Sequence, residues 1–191
     1  MIFRRQDRTS SSTCAAATAT APPFARPDVR ALERATFAAG CFWGVEAAFR
    51  EIDGVVQTSA GYTGGHSAAP SYEQVCGHAT GHAEAVEVWF DPAVVSYGGL
   101  LDRFWQIHNS TTRNRQGLDF GHQYRSGIFF HSREQQAAAL SSREREQAKH
   151  RRPIVTEMVA ASALYRAEEY HQRYLEKSGH AACAVTLRHA S

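Results

Sequence analysis

The stretch that decides the fold covers residues 35–60 and reads ATFAAGCFWGVEAAFREIDGVVQTSA. Its short apolar run at 36–39 predicts a β-strand that ends at Gly40, because glycine interrupts regular structure and permits a tight turn. Apolar residues then recur at the spacing of one helix face, at Val45, Ala48, Phe49 and Ile52. Asp53-Gly54 ends this helix, and the β-branched residues from Val55 onward predict the next strand. The order strand, turn, helix, strand indicates a domain that packs helices on a sheet.

The remainder of the chain continues this alternation. Further strands are predicted at 84–90, 127–130 and 154–159, and further helices at 100–107, 132–150 and 164–177. Two long connections interrupt the pattern, a glycine-rich one that ends near Thr80 and a polar one over 108–126. The alternation predicts an α+β fold in which helices flank a central mixed sheet.

The composition narrows the class of protein. The 191 residues are 43% hydrophobic, and 21 lysines and arginines nearly balance 19 acidic residues. This length predicts one domain with a real core, and the even charge argues against a protein that wraps nucleic acid or lies on an anionic membrane. Residues 1–34 are rich in Arg, Ser, Thr and Pro, which predicts a flexible or cleaved extension, either a transit peptide or a segment without a targeting role. The domain is therefore expected over 35–191.

Cys41 is the first candidate for chemistry among four scattered cysteines, whose spacing fits neither a disulfide scaffold nor a zinc finger. At the predicted start of a helix, the dipole and the free N–H groups would favour its thiolate over its thiol. The flanking Gly40 and Gly44 would let another molecule approach the sulfur closely. The alternative is that Cys41 is a small buried residue and that its aromatic neighbours belong to the core. From the residues alone, both interpretations stand.

Glu84 is the second candidate. In the predicted strand it shares a face with Val86, Val88 and Phe90. A carboxyl group on an apolar face is partly desolvated, which raises its pKa and lets it donate a proton near neutral pH. The alternative is that Glu84, at the start of the strand, reaches solvent and keeps an ordinary acidity.

The two long connections also carry candidate groups. The polar one over 108–126 is dense in Asn, Gln, Asp, Tyr and Arg, and a loop of that length and composition is typical of a functional site. In the other, Cys76, His78 and His82 are of the residue types that bind zinc, but a fourth ligand at a recognisable spacing is missing. A tight glycine-rich loop explains their spacing equally well, so no metal site is predicted.

Short motifs follow one another along the chain, namely GCFWG at 40–44, GYTGG at 61–65, TGHAEAV at 80–86, NRQG at 114–117 and QYRS at 123–126. Together and in this order they closely resemble the motifs of the A-type peptide methionine sulfoxide reductases. The resemblance covers about residues 35–183. It implies a two-layer α/β sandwich of ferredoxin-like type and an enzyme that reduces methionine S-sulfoxide, free and protein-bound, in the repair of oxidised proteins.

The resemblance also implies the catalytic residues. Cys41 matches the nucleophile that attacks the sulfoxide sulfur and becomes a sulfenic acid, and Glu84 matches the carboxyl group that protonates the sulfoxide oxygen. A sulfenic acid condenses with a second thiol to a disulfide. Cys183 stands where some members carry this resolving cysteine near the C-terminus, and Cys76 is the alternative resolving thiol.

The substrate-binding residues implied by the resemblance surround these groups. Phe42 and Trp43 match an aromatic pocket for the S-methyl group of the substrate. Tyr72 and Tyr124 match two tyrosines that hydrogen-bond the oxygen, and Asp119 matches the acidic residue of the same site.

One departure from the family pattern stands at the start of the polar loop. Members commonly have His-Asp-Pro where this chain has His108-Asn109-Ser110. We expect this change to relax the start of the loop without removing a catalytic group.

The implied partners follow from this chemistry. Thioredoxin would reduce the disulfide, the substrates would be free methionine sulfoxide and the oxidised methionines of many proteins, and no metal or organic cofactor is required. We expect a monomer with no nucleic-acid or membrane partner, in the cytoplasm, or in an organelle if residues 1–34 are a transit peptide. Two other functions compete: a cysteine hydrolase or acyltransferase in which His82 activates Cys41, and an inactive module that binds methionine or its sulfoxide.

Overall fold

The computed structural model describes residues 31–179. Residues 1–30 and 180–191, which include Cys14 and Cys183, lie outside the described residues. The strands are β1 Glu33–Ala39, β2 Val55–Thr63, β3 Ala83–Phe90, β4 Arg115–Gln116, β5 Asp119–Phe120, β6 Ser126–Phe130, β7 Glu157–Ala160 and β8 Tyr165–Arg166. The α-helices are α1 Phe42–Arg50, α2 Tyr72–Cys76, α3 Tyr97–Gln106, α4 Arg133–Gln147 and α5 Tyr174–Lys177, and 3-10 turns cover His122–Tyr124 and Glu169–His171. None of these helices has the length and apolar character needed to cross a membrane.

The main sheet has six strands in the order β7-β6-β1-β3-β2-β8. Its four inner strands are antiparallel, with α1 connecting β1 to β2 and α3 lying between β3 and β6 in the chain. This is the ferredoxin-like arrangement. Strand β7 joins β6 in parallel and β8 joins β2 antiparallel, which makes the sheet mixed. The predicted α+β sandwich with a central mixed sheet is therefore confirmed.

The main core lies between the sheet and helices α1, α3 and α4. Phe37 of β1 stacks on Phe49 of α1 with ring centroids 4.9 Å apart, and on Phe104 of α3 at 5.4 Å. All three rings are fully buried. Burial of one such side chain contributes roughly 1.5–3 kcal/mol, so this aromatic stack is a main attachment of the helices to the sheet.

Strand β3 shows the predicted alternation of side chains. Val86, Val88 and Phe90 belong to the core beneath the helices, whereas Ala83 and Ala85 belong to a small cluster on the other face. Because side chains alternate along a strand, Glu84 lies on the face of Val86. The register of β3 thus places a carboxyl group in the layer covered by helices.

The predicted helix over 164–177 is wrong. The segment forms β8, a 3-10 turn and the single helical turn α5. The side chain of Gln172 hydrogen-bonds both the N–H and the carbonyl of Ala60 on β2, and Glu46 of α1 accepts the N–H of Arg173. These partners lie 112 and 127 positions away in the chain, so local periodicity cannot reveal them.

Both long connections are more ordered than the sequence suggests. The glycine-rich one contains α2, which begins with a capping box between Ser71 and Gln74. The polar one contains the β4–β5 hairpin and a 3-10 turn. His108 fastens its two ends, because its ring nitrogens bond the carbonyl of Phe104 at 2.8 Å and the hydroxyl of Ser126 at 2.7 Å.

Candidate active site

Cys41 lies between the end of β1 and the start of α1, at the N-cap position of that helix. Gly40 permits this turn: its φ of 99° lies in the left-handed region, and a Cβ there would come within 2.8 Å of the Gln116 side chain. Cys41 is half-buried, and the backbone N–H groups of Trp43 and Gly44 at the helix start lower the pKa of its thiol. The motif therefore presents a thiol at a helix start, as predicted.

The charge state of Cys41 differs from the expectation. The pKa of its thiol is raised to about 12, first by burial and then by the negative charges of Glu84 and Asp119. The N–H groups at the helix start lower this pKa, but by less than the other effects raise it. The expected thiolate is wrong, because a thiol with a pKa of about 12 holds its proton at neutral pH.

Glu84 is the carboxyl group next to this thiol. It is 2% exposed, and its Oε2 accepts a hydrogen bond from the N–H of Phe42 at 3.0 Å. Burial raises the pKa of Glu84 to about 7, the negative charge of Asp119 adds to the rise, and the hydrogen bond from Phe42 opposes it. The predicted burial and raised pKa are confirmed. The carboxyl group can therefore both hold and release a proton near neutral pH.

Two tyrosines and Asp119 lie around the same pair. The pKa of Tyr124 is raised to about 12, first by burial and then by the charges of Glu84 and Asp119, with the thiols of Cys41 and Cys76 contributing. Burial also raises the pKa of Tyr72, with the neighbouring Cys76 contributing. Both phenols therefore stay protonated at neutral pH. They are available as hydrogen-bond donors at the predicted site.

The two aromatic residues of the GCFWG motif differ in their surroundings. Phe42 is 1% exposed, and its ring tilts against Tyr62 with centroids 5.8 Å apart. Trp43 is half-buried and lies flat on Tyr174 of α5, at 3.7 Å between centroids and 10° between planes. The indole thus forms an accessible aromatic wall, whereas Phe42 supports the site from inside.

Residues of segment 165–174 contact this wall, and they were not predicted from the sequence. The missed side chains are Glu168, Tyr170, His171 and Tyr174, which contact Trp43, Tyr72 or each other. They fell within the predicted helix 164–177, and a helical pattern gives no reason to place them beside Trp43. The density of tyrosine and histidine in this segment is the signal that could have found them.

The histidines of the glycine-rich connection hydrogen-bond groups other than Cys41. His82 accepts the N–H of Gly65 at Nδ1, and its Nε2 bonds the carbonyl of Ser67 at 2.7 Å. His78 bonds Gln123 at 3.0 Å. Because both ring nitrogens of His82 are engaged by backbone groups, this imidazole has no free nitrogen with which to deprotonate Cys41.

Comparison with known proteins identifies the family of this chain. The sequence model described as "Peptide methionine sulfoxide reductase" matches residues 33–191. The chain belongs to the peptide methionine sulfoxide reductase family. It is 62% identical over 150 residues to the peptide methionine sulfoxide reductase MsrA of Methanosarcina acetivorans, which covers 78% of this chain and 80% of that protein.

Solved structures in the peptide methionine sulfoxide reductase family share the fold. Reduced Mxr1 from Saccharomyces cerevisiae superposes with a TM-score of 0.77 at 38% identity, over 83% of this chain and 93% of that one. Mxr1 in complex with Trx2 gives a TM-score of 0.56 at 28% identity, over 80% of this chain and 91% of that one.

Hydrogen bonds hold the start of the polar loop, where this chain departs from the family pattern at Asn109-Ser110. The side chain of Gln116 bonds the N–H and the carbonyl of Asn109 at 3.0 and 2.9 Å. The carbonyl of Ser110 accepts the N–H of Val155 at 2.9 Å. These bonds hold the start of the loop, and its relaxation relative to other members stays a prediction.

Proposed function

We propose that this peptide methionine sulfoxide reductase reduces methionine S-sulfoxide, free and protein-bound, to methionine, and so repairs oxidised proteins. The observation that carries the proposal is the pairing of the Cys41 thiol with a buried carboxyl group, Glu84, whose pKa is about 7. A sulfoxide sulfur is a poor electrophile until its oxygen is protonated. A nucleophilic sulfur and a neutral carboxylic acid therefore supply what the reaction needs.

In the proposed chemical step, Glu84 protonates the sulfoxide oxygen while the sulfur of Cys41 attacks the sulfoxide sulfur. The S–O bond of the substrate breaks, the oxygen is transferred to Cys41 as a sulfenic acid, and methionine leaves as the thioether. The proton lost by the thiol balances the hydrogen of the new S–OH group, so Glu84 recovers its proton. Two electrons pass from the cysteine sulfur to the substrate sulfur.

We assign the surrounding residues to substrate binding. The hydroxyls of Tyr72 and Tyr124 donate hydrogen bonds toward the sulfoxide oxygen, and their raised pKa values support this role. Asp119 adds negative charge, which favours the protonated form of Glu84. Phe42 and Trp43 bound the pocket for the S-methyl group.

Recycling of the sulfenic acid completes the proposed cycle. The thiol of Cys183 attacks the sulfenic sulfur of Cys41, which forms a disulfide and releases water. Thioredoxin then reduces that disulfide by thiol–disulfide exchange and becomes oxidised itself. The similarity to Mxr1, which has been solved in complex with Trx2, supports thioredoxin as the reductant. We further propose that the enzyme acts as a monomer in the cytoplasm, without a metal or organic cofactor.

The deciding experiment measures turnover of a methionine sulfoxide peptide with dithiothreitol as the reductant. We expect the wild-type protein to release the reduced peptide and Cys41→Ser to lose all turnover, because serine cannot form the sulfenic acid. Cys76→Ser serves as the matched control and should retain turnover. Activity in Cys41→Ser would refute the assignment. An inactive wild-type protein that still binds the peptide would favour a binding module instead.

A further inference from the structure

One buried histidine next to the proposed site has an unusual set of partners. His171 ends the 3-10 turn Glu169–His171 and is 1% exposed. Its Nδ1 accepts the indole N–H of Trp43 at 2.9 Å. Because an imidazole nitrogen that accepts a hydrogen bond carries no proton, the neutral ring must hold its proton on Nε2. This Nε2 has no hydrogen-bond partner within residues 31–179.

The nearest acidic group is the carboxylate of Glu168, with its Oε2 3.9 Å from the Nε2 of His171. The same carboxylate accepts the hydroxyl of Tyr62 on β2 and the N–H of Tyr72 at the start of α2, both at 3.0 Å. Glu168 thus fastens the sheet and α2 to the segment that carries His171. It also places negative charge beside the proton of the imidazole.

The imidazole ring packs among the aromatic side chains next to Trp43. Its centroid lies 5.0 Å from that of Phe42, 4.7 Å from Tyr72 and 4.1 Å from Tyr170. The face of Trp43 rests on Tyr174, and a stacked pair can still slide or rotate in its plane. The hydrogen bond that the indole N–H donates to His171 removes that freedom.

We propose that His171 is a positioning residue for sulfoxide reduction: it fixes the indole of Trp43 and thereby the shape of the pocket for the S-methyl group. The role rests on the proposed function, and His171 acts through Trp43 and not on the reacting atoms. Burial lowers the pKa of His171, against the opposing charges of Glu168 and Glu73. The neutral ring therefore keeps its acceptor lone pair at neutral pH.

The test compares two substitutions of similar size in the full chain. His171→Asn can place its Oδ1 near the position of Nδ1 and accept the indole N–H, whereas His171→Leu cannot. We expect His171→Leu to raise the KM for a methionine sulfoxide peptide by roughly fivefold to tenfold, the effect of losing one ordinary hydrogen bond. The rate of a single turnover at saturating peptide should stay within about twofold, because the reacting groups are untouched. His171→Asn should stay close to the wild-type protein in both quantities.

A spectroscopic readout separates positioning from general stability. The indole N–H signal of Trp43 in a proton–nitrogen NMR spectrum is identified by its loss in Trp43→Phe. In His171→Leu this signal should shift and exchange faster with solvent, while the signals of Trp89 and Trp105 keep their positions. If His171→Leu fails to fold, His171→Gln replaces it, since its amide lies near the Nε2 position and not near Nδ1.

The outcomes distinguish the role of His171 from the proposed function of the protein. An unchanged KM in His171→Leu, or an equal rise in His171→Asn and His171→Leu, would overturn the role of His171 and leave the proposed function intact. A wild-type protein that binds the peptide without reducing it would overturn the proposed function and this role with it.

Discussion

The titration of Glu84 should control the rate of sulfoxide reduction between pH 6 and pH 8. Since the pKa of Cys41 is about 12 and that of Glu84 is about 7, only Glu84 of this reacting pair titrates in this range. The protonated fraction of Glu84 falls from about nine tenths at pH 6 to about one tenth at pH 8. If protonated Glu84 is the donor, the rate constant of a single turnover should fall nearly tenfold over the same range.

Removal of the Glu84 carboxyl group should slow sulfoxide reduction and flatten the dependence of its rate on pH. In Glu84→Gln the amide oxygen can still accept the N–H of Phe42, so the backbone at the helix start keeps its contact. The loss of a positioned general acid typically costs about 10²- to 10⁴-fold in rate, and we expect a loss of that size at pH 6. Peptide affinity should change little, because the amide occupies the same volume.

The assay mixes excess enzyme with a methionine sulfoxide peptide in the absence of reductant and measures the reduced peptide in quenched samples. Glu87→Gln is the matched control: Glu87 lies on the opposite face of β3, is 8% exposed, and pairs with Arg34 at 3.4 Å. It should keep the wild-type rate and pH profile. A wild-type rate in Glu84→Gln at pH 6, or a wild-type rate that does not fall above pH 7, would refute the argument.

Three further predictions concern stability and recycling. Glu84→Gln should raise the free energy of unfolding by up to about 3 kcal/mol at pH 8 and leave it unchanged at pH 4. The pKa of Glu84 is about 7 in the folded protein and 4.5 in the unfolded chain, so the wild-type protein loses stability as the pH rises between these values. An equal gain at both pH values in urea denaturation would contradict this. Gly40→Ala should lower the free energy of unfolding by about 1–3 kcal/mol, because the alanine would be strained at positive φ and its Cβ would contact the Gln116 side chain too closely. Gly117→Ala is the control and should cost less, because a Cβ there meets no atom within 4 Å. Cys183→Ser should keep a single turnover and lose thioredoxin-supported cycling, and normal cycling would point to Cys76 or to direct reduction.

Much of the fold and part of the site could be predicted from local patterns. The GCFWG turn between a strand and a helix places Cys41 at the helix start, and the alternation in 84–90 places Glu84 on the buried face. Both inferences depend on the fixed periods of helix and strand, which a short stretch of sequence contains in full. The helix predicted over 164–177 was wrong, because hydrogen bonds to β2 and α1 determine the conformation of this segment.

The sequence by itself determined which residues are candidates for the chemistry and on which face of their element they lie. Only the tertiary structure decided their charge states and the side chains that pack against them. The pKa of Cys41 depends on burial and on the negative charges of Glu84 and Asp119, which come from distant parts of the chain and outweigh the helix start. The contact of His171 with Trp43 spans 128 positions. Electrostatic and packing effects depend on distance in space, and no local period encodes that distance.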